Sequence, residues 1–403
     1  MKTKYFFLSA LIISVFTLSI QGWASPQNEV EELNDFFSTD PETSSDSIGV
    51  NVGIWEDEYE NTYMVEDDDT ILRMAVVLSD IYSKKDLEFS RGMLLGMQES
   101  SLPDNSISLK IINGDIPQDS LYNELMEYDP HLVISTYEKN HPYAVTSFAS
   151  RMNKKFMTVF DAKNDSYVRN QGAYQVLVPS DAFNENITKF FMEKHGNDYL
   201  VMVGDPDLND LMLRNLIVAW PEEKLLILTK TELPRLLLEE NENYIFLPVS
   251  LNATDIKGIM SEIDKLKTSY PSSEILILGR PNWISFTDLN SIVEGNDVYI
   301  PAKCYFDPSS DSGKRLIASY KEAYGHSPIK SFPTYAVMGY DVAKYFLPYL
   351  VYQHRGDEIF WMPDNMVQSY FDIRQKNNAG FYNGGSLMLH YRPWGAMQKL
   401  TVN

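Results

Sequence analysis

From Ile71 onward the chain alternates short apolar runs with longer amphipathic stretches. The runs are Leu72 to Leu78, Ile107 to Ile112, His131 to Ile134, Phe156 to Phe160 and Tyr174 to Val178. They continue with Tyr199 to Val203, Leu225 to Leu228, Tyr244 to Val249, Ile275 to Leu278 and Val298 to Ile300. Short runs rich in Val, Ile and Leu suit strands buried on both faces. Between most of them lie helix-length segments with apolar spacing near 3.6 residues, such as Asp86 to Glu99, Asp181 to Lys194 and Asp255 to Lys267. Repeated βα units of this length predict parallel sheets with right-handed crossovers. These strands exceed what one such sheet usually carries, so they divide into two lobes.

The tail breaks the rhythm. Ser312 to Tyr324 and Tyr335 to Val351 read as consecutive helices, and the chain is expected to return there to its first lobe. Phe381 to Tyr391 reads as a hairpin or short strands, with Asn383-Gly384-Gly385 as the turn.

The first 70 residues differ in kind. Lys2 and Lys4 precede an apolar run from Phe6 to Ile20, and Gly22-Trp23-Ala24 supplies small residues before a cut ahead of Ser25. Residues 1–24 therefore read as a signal peptide, the run falling short of the roughly 20 residues that span a bilayer. The mature chain is expected to be periplasmic or secreted, without a transmembrane segment.

Charge sharpens the division. The net charge is −22, yet residues 25–70 hold 15 acids and no Lys or Arg, so the body from Ile71 carries only −9. Residues 25–70 read as an acidic linker, poor in aliphatics and self-repelling. Trp55, Tyr59 and Tyr63 interrupt it, either as tacks onto the body or as a short partner-binding motif. Neither part has the basic stripe that nucleic acid requires. Cys304 is the only cysteine. It excludes an internal disulfide and reads as a packing residue rather than a nucleophile.

The order of segments resembles the type I periplasmic binding protein fold, the leucine-binding-protein-like family of receptor domains, and within it divergent members of the Bacteroidetes kind. The landmarks are Met74 to Leu78, Phe89 to Met97, Asp129-Pro130 before His131 to Ile134, and Val178-Pro179-Ser180-Asp181. Leu278 to Trp283, Tyr305-Phe306-Asp307, Tyr320 to Pro328 and Tyr335 to Ala343 follow, the last containing Gly339-Tyr340-Asp341. The resemblance implies an α/β fold of two Rossmann-like lobes with parallel sheets, joined by three hinge crossings near Val178, Lys303 and Asn377. The first lobe would comprise 71–178 and 303–376, and the second 179–302 and 377–403.

In such folds the ligand sits between the lobes, at the carboxyl ends of strands. The resemblance thereby selects Ser79, Asp80, Ser135, Thr136, Tyr137 and Asp161 in the first lobe, and Asp205, Ser250, Arg280 and Trp283 in the second. Ser79, Ser135, Asp205 and Ser250 equally suit ordinary helix N-caps. Where amino-acid-binding relatives seat a carboxylate after the third strand, this chain has Ser135-Thr136-Tyr137 without the Gly-Pro turn. Where they place an acid for the ligand's ammonium, it has Arg280, which prefers an anion.

Signatures of catalysis are missing from the sequence. It contains no G-x-S-x-G, P-loop, H-E-x-x-H or C-x-x-C, and its six histidines lack metal-ligand spacing. The expectation is a non-enzymatic protein without a cofactor. Its partner would be a small ligand (an anion, a sugar or a peptidoglycan fragment) or an envelope protein. In the second case it would be a scaffold or regulator similar to the peptidoglycan-synthase activators that carry this domain.

Overall fold

The computed structural model describes residues 70–163, 170–357, 366–375, 379–393 and 395–403. The signal peptide, nearly all of the acidic linker and the crossing expected near Asn377 lie outside the described residues.

Ten strands follow the ten apolar runs: β1 (Leu72–Leu78), β2 (Ile107–Asn113), β3 (Leu132–Ser135), β4 (Lys155–Thr158), β5 (Ala173–Gln175), β6 (Tyr199–Val203), β7 (Leu225–Leu228), β8 (Tyr244–Pro248), β9 (Ile275–Leu278) and β10 (Val298–Ala302). Between and after them come α1 (Lys84–Gln98), α2 (Gln118–Tyr128), α3 (Tyr143–Arg151), α4 (Ser180–His195), α5 (Leu211–Ala219), α6 (Ala253–Ser269), α7 (Leu289–Val293), α8 (Asp311–Tyr324) and α9 (Tyr335–Arg355). Four further strands close the chain: β11 (Ile373–Gln375), β12 (Phe381–Asn383), β13 (Ser386–Tyr391) and β14 (Gln398–Val402).

They form two seven-stranded sheets, ordered β11-β12-β5-β4-β3-β1-β2 and β14-β13-β10-β9-β8-β6-β7. Each is parallel except at the edge contributed by the tail. β11 runs antiparallel to β12, and β13 runs antiparallel to both β10 and β14. The sheets are therefore mostly parallel, as the sequence predicts, with antiparallel pairings confined to the tail. The late strands reverse direction because the chain returns through both lobes before it ends.

The first sheet is covered on one face by α1 and α9. Met74, Val76 and Leu78 meet Phe89, Met93, Met338, Val342 and Phe346 there. The opposite face buries Ala75, Val77, Val133 and Phe156 against Leu121, Leu125, Val145 and Phe148 of α2 and α3. The second sheet likewise has two buried faces, one holding Phe246, Ile277 and Ile300 and the other Leu200, Met202 and Leu247. Parallel strands buried on both sides need apolar residues at nearly every position, hence the unbroken runs in the sequence.

Of the two readings of the tail, the structure has short strands rather than a hairpin. Phe381–Asn383 and Ser386–Tyr391 are not two arms of a hairpin, because β12 pairs with β5 in the first sheet and β13 with β10 in the second. Phe381–Asn383 thus lies in the first sheet, although the sequence reading assigns it to the second lobe. Gly384 and Gly385 serve close approach rather than a tight turn. A Cβ on Gly384 would lie 2.6 Å from the Arg374 side chain, and one on Gly385 2.6 Å from Tyr370.

Candidate functional site at the carboxyl ends of the sheets

Two of the crossings bring the carboxyl ends of both sheets together. Lys303, directly beyond β10, donates from Nζ to the Val178 carbonyl and to Ser180 Oγ, both at 3.1 Å and both just beyond β5. Ser180 in turn bonds the Ala162 carbonyl beyond β4. Burial lowers the Lys303 ammonium to a pKa of about 8. Where the chain passes from β12 to β13, Asn186 of α4 donates to the Gly384 carbonyl at 2.7 Å and to Ser386 Oγ at 2.9 Å.

In the first lobe the selected residues belong to two hydrogen-bonded groups. Ser79 donates its hydroxyl to Asp86 Oδ2 at 2.7 Å, and the Asp80 amide donates to the same oxygen at 2.7 Å. Asp86 is wholly buried in the first turn of α1, where the helix dipole favours a carboxylate. Thr136 Oγ1 accepts from the Ser79 amide, and its carbonyl accepts from Lys85 Nζ at 3.1 Å. Lys85 also lies 5.5 Å from the Phe160 ring and 3.8 Å from Glu138. Asp80 itself is exposed and caps the Tyr82 amide.

The second group is a chain through His141. Ser135 Oγ stands 2.9 Å from His141 Nδ1, and His141 Nε2 stands 3.1 Å from Asp161 Oδ2. The other Asp161 oxygen accepts from the Lys163 amide at 2.8 Å. Tyr137 lies beside His141, with ring centroids 6.1 Å apart. Burial raises its hydroxyl pKa, and nearby Asp115 and Asp86 add to the effect. Serine, histidine and aspartate in one hydrogen-bonded chain are the ingredients of acyl transfer. Here Ser135 is 0% exposed, its hydroxyl closed off from solvent.

The second lobe gives a different result. Arg280 donates to Asp210 Oδ2 and, at 3.2 Å, to the Val249 carbonyl. Asp210 also caps α5 through the Leu213 amide. The guanidinium is therefore neutralised by the chain itself, and burial lowers its pKa against the opposing pull of Asp210. Trp283 is 0% exposed and packs in the core under Gly279, whose Cβ would lie 2.7 Å from the indole. Ser250 donates to Asp255 and accepts the Asn252 amide, a turn role. Asp205 is exposed beyond β6.

The structure thus brings Ser79, Asp80 and Thr136 into one cluster and Ser135, Tyr137 and Asp161 into another. It places Arg280 and Ser250 in separate local contacts and Trp283 in the core. Sequence reading missed Lys85, Asp86, His141, Asp210 and Lys303. Asp86 and Asp210 carried a usable signal, each sitting at a helix start just after a strand end. His141 gave none, because its two partners lie six and twenty residues away. Cys304 is 2% exposed, and burial pushes its thiol up to about 12, which leaves it protonated and inert. Among the described residues no group of three or more His, Cys, Asp or Glu is placed to hold a metal ion.

Several large apolar side chains stand open to solvent at these strand ends, among exposed polar ones such as Asp80, Glu138, Lys139 and Asp205. Tyr82 and Tyr143 in the first lobe are each 68% exposed, and Leu208 and Leu251 in the second are 59% and 61% exposed.

This architecture is the two-lobed α/β fold of the type I periplasmic binding proteins. A solved structure described as a putative branched-chain amino acid ABC transporter from Rhodospirillum rubrum is similar at TM-score 0.58 and 12% identity. The likeness covers 82% of this chain and 100% of that one. Full-length LpoA from Haemophilus influenzae is similar at TM-score 0.52 and 12% identity, over 82% of this chain but only 59% of that one. At such identity the likeness concerns the fold. No protein-family model matches the chain, and no curated protein matches it. Among the described residues no helix is long and apolar enough to cross a membrane.

Proposed function

We propose that the protein is a non-enzymatic, exported binding body whose working surface is formed by the carboxyl ends of its two sheets, and that its occupant there is a segment of an envelope protein. One observation carries this reading: the selected polar side chains Arg280, Ser79 and Ser135 are engaged within the chain, while four large apolar side chains stand exposed at the strand ends among the polar ones. Arg280 is ion-paired with Asp210, Ser79 is hydrogen-bonded to Asp86, and Ser135 to His141. A small anion at Arg280 would have to compete with Asp210, which already pairs with the guanidinium. Tyr82, Tyr143, Leu208 and Leu251 match what a protein partner covers, since interfaces gain most from aromatic and aliphatic anchors.

A second reading, a small polar ligand in the first lobe, has one observation in its favour. Thr158 Oγ1, Gln175 Oε1 and Asp86 Oδ1 are buried without a hydrogen-bond partner near the carboxyl ends of β4, β5 and β1. Thermal-shift measurements with amino acids, sugars, muropeptides and organic acids separate the two. A ligand present at a hundred times its Kd stabilises by about 2.7 kcal/mol. The docking reading expects no stabiliser in the set. A stabiliser whose effect disappears in Thr158→Val would establish the small-ligand reading instead.

A further inference from the structure

Residues 366–372 belong to neither helix nor strand, yet Val367, Gln368, Ser369 and Phe371 are buried. A buried irregular segment must find partners for its backbone groups elsewhere in the molecule. Here they come from both lobes.

On the first lobe, Asp341 of α9 accepts the Val367, Gln368 and Ser369 amides. The Gln368 side chain adds two bonds to Thr334, accepting its amide at 3.1 Å and donating to its carbonyl at 2.9 Å. Phe371 packs on Tyr345 and Phe346 of α9, with ring centroids 4.6 and 5.3 Å away. Toward the second lobe, the Val367 carbonyl accepts from Lys399 Nζ of β14 at 3.2 Å. Tyr370, like Tyr305 and Tyr391, packs against the core of the second sheet. The Gln368 carbonyl accepts the Tyr305 amide at 2.8 Å.

We infer that residues 366–372 are a strap that holds the two lobes at one angle, so that the strand-end surfaces are presented as one rigid body whatever occupies them. Tyr370 and Phe371 are consecutive, yet they pack against different lobes. A hinge needs residues free to change φ and ψ. Here the flanking Ser369 and Asp372 amides are held by Asp341 and, at 2.9 Å, by Asn383 of β12. Lys399 supplies a lever. It pairs with Leu389, three residues beyond Ser386, where β13 begins. That spacing places it about 10 Å along the strand from the passage between the sheets. Turning a lobe by about 20° around that passage would displace the Lys399 contact by about 3.5 Å, further than a hydrogen bond stretches.

Pulsed dipolar spectroscopy on the full mature chain tests this, with spin labels at Met126→Cys in α2 and Val218→Cys in α5, both exposed positions. Cys304 is buried and stays unlabelled. The parent is expected to give a single narrow distance between the lobes. Lys399→Met, at an exposed position, is expected to widen the distribution, and Tyr370→Ala to widen it about twofold or more. If Tyr370→Ala loses its native dichroism, Lys399→Met alone decides. A parent distribution already broad or two-peaked overturns the inference. Widths that stay at the parent value in natively folded Lys399→Met and Tyr370→Ala overturn it equally.

Discussion

The helices α1 and α6 each lie on one sheet of the molecule and each carry glycine in mid-helix, yet the glycines do opposite things. In α1 a Cβ on Gly92 would lie 1.7 Å from the Ala336 carbonyl oxygen, and one on Gly96 2.7 Å from that of Tyr340. Gly339 of α9 reciprocates, its Cβ position falling 2.1 Å from the Phe89 carbonyl oxygen. The two helix backbones are in direct contact, which only residues without a side chain allow. In α6 a Cβ on Gly258 would meet nothing within 4 Å. The first lobe is thus completed by a helix that arrives after the whole second lobe has been traversed. The second lobe draws its helices from neighbouring sequence.

That difference also explains Asp341. It is wholly buried and accepts from the Val367, Gln368 and Ser369 amides at 2.8–2.9 Å. It thereby fixes a segment whose Val367 carbonyl takes Lys399 of β14 and whose Gln368 carbonyl takes the Tyr305 amide. The Gly339-Tyr340-Asp341 motif marks the point where the returning helix is locked to the first lobe and to the crossings.

The contrast is broken most forcefully at the glycines. Gly92→Val is expected to destabilise by more than the 1–3 kcal/mol typical of overpacking, because the clash is with backbone. The loss should appear in chemical denaturation as a first transition confined to the first lobe. Gly258→Ala should instead stabilise by up to about 1 kcal/mol, as expected for an exposed helix interior. Equal effects at the two sites would remove the distinction.

Next in size is Asp341→Ala. It strands three buried amides, each costing on the order of 1–3 kcal/mol, and hydrogen exchange should show 366–371 losing protection before the sheets do.

A pH effect follows from His131. Burial, then the charge of Arg73, lowers its pKa to about 4, from the usual value near 6.5, where it packs at a tilt against His354 with ring centroids 4.2 Å apart. Its folded-state pKa lies below the unfolded one, so the unfolded chain binds the extra proton. The stability it contributes is present above pH ~6.5 and is lost as pH falls toward ~4. His131→Gln should flatten that part of the melting-temperature profile.

The smallest effect belongs to Arg280→Met. An apolar side chain of similar length replaces one partner of the pair, and the Asp210 left behind is 30% exposed and can be hydrated, so the change should stay within about 1.5 kcal/mol.

Much of this architecture is legible in the sequence, because strands buried on two faces announce themselves as unbroken apolar runs. All ten such runs became strands, and Tyr335–Arg355 lies on the first sheet. The final strands were harder to read. Gln398–Val402 is a largely exposed edge whose pattern is polar, and Gly384-Gly385 looks like a hairpin turn unless Tyr370 and Arg374 are known to press on it. At the site, position along the fold was readable and pairing was not. Nothing local in the sequence ties Arg280 to Asp210 or Ser135 to His141, and Trp283 looks like a ligand platform until its burial is seen.

The central claim is that the strand-end surfaces take a protein segment. The most direct measurement places a photo-crosslinking residue at Tyr143 or Leu251 in turn, within the native cell envelope, with exposed Met126 as the control. The account predicts one protein adduct shared by Tyr143 and Leu251 and absent from Met126. Adducts at Met126 alone, or none at the strand ends while a small molecule protects Thr158 and Gln175, would contradict it.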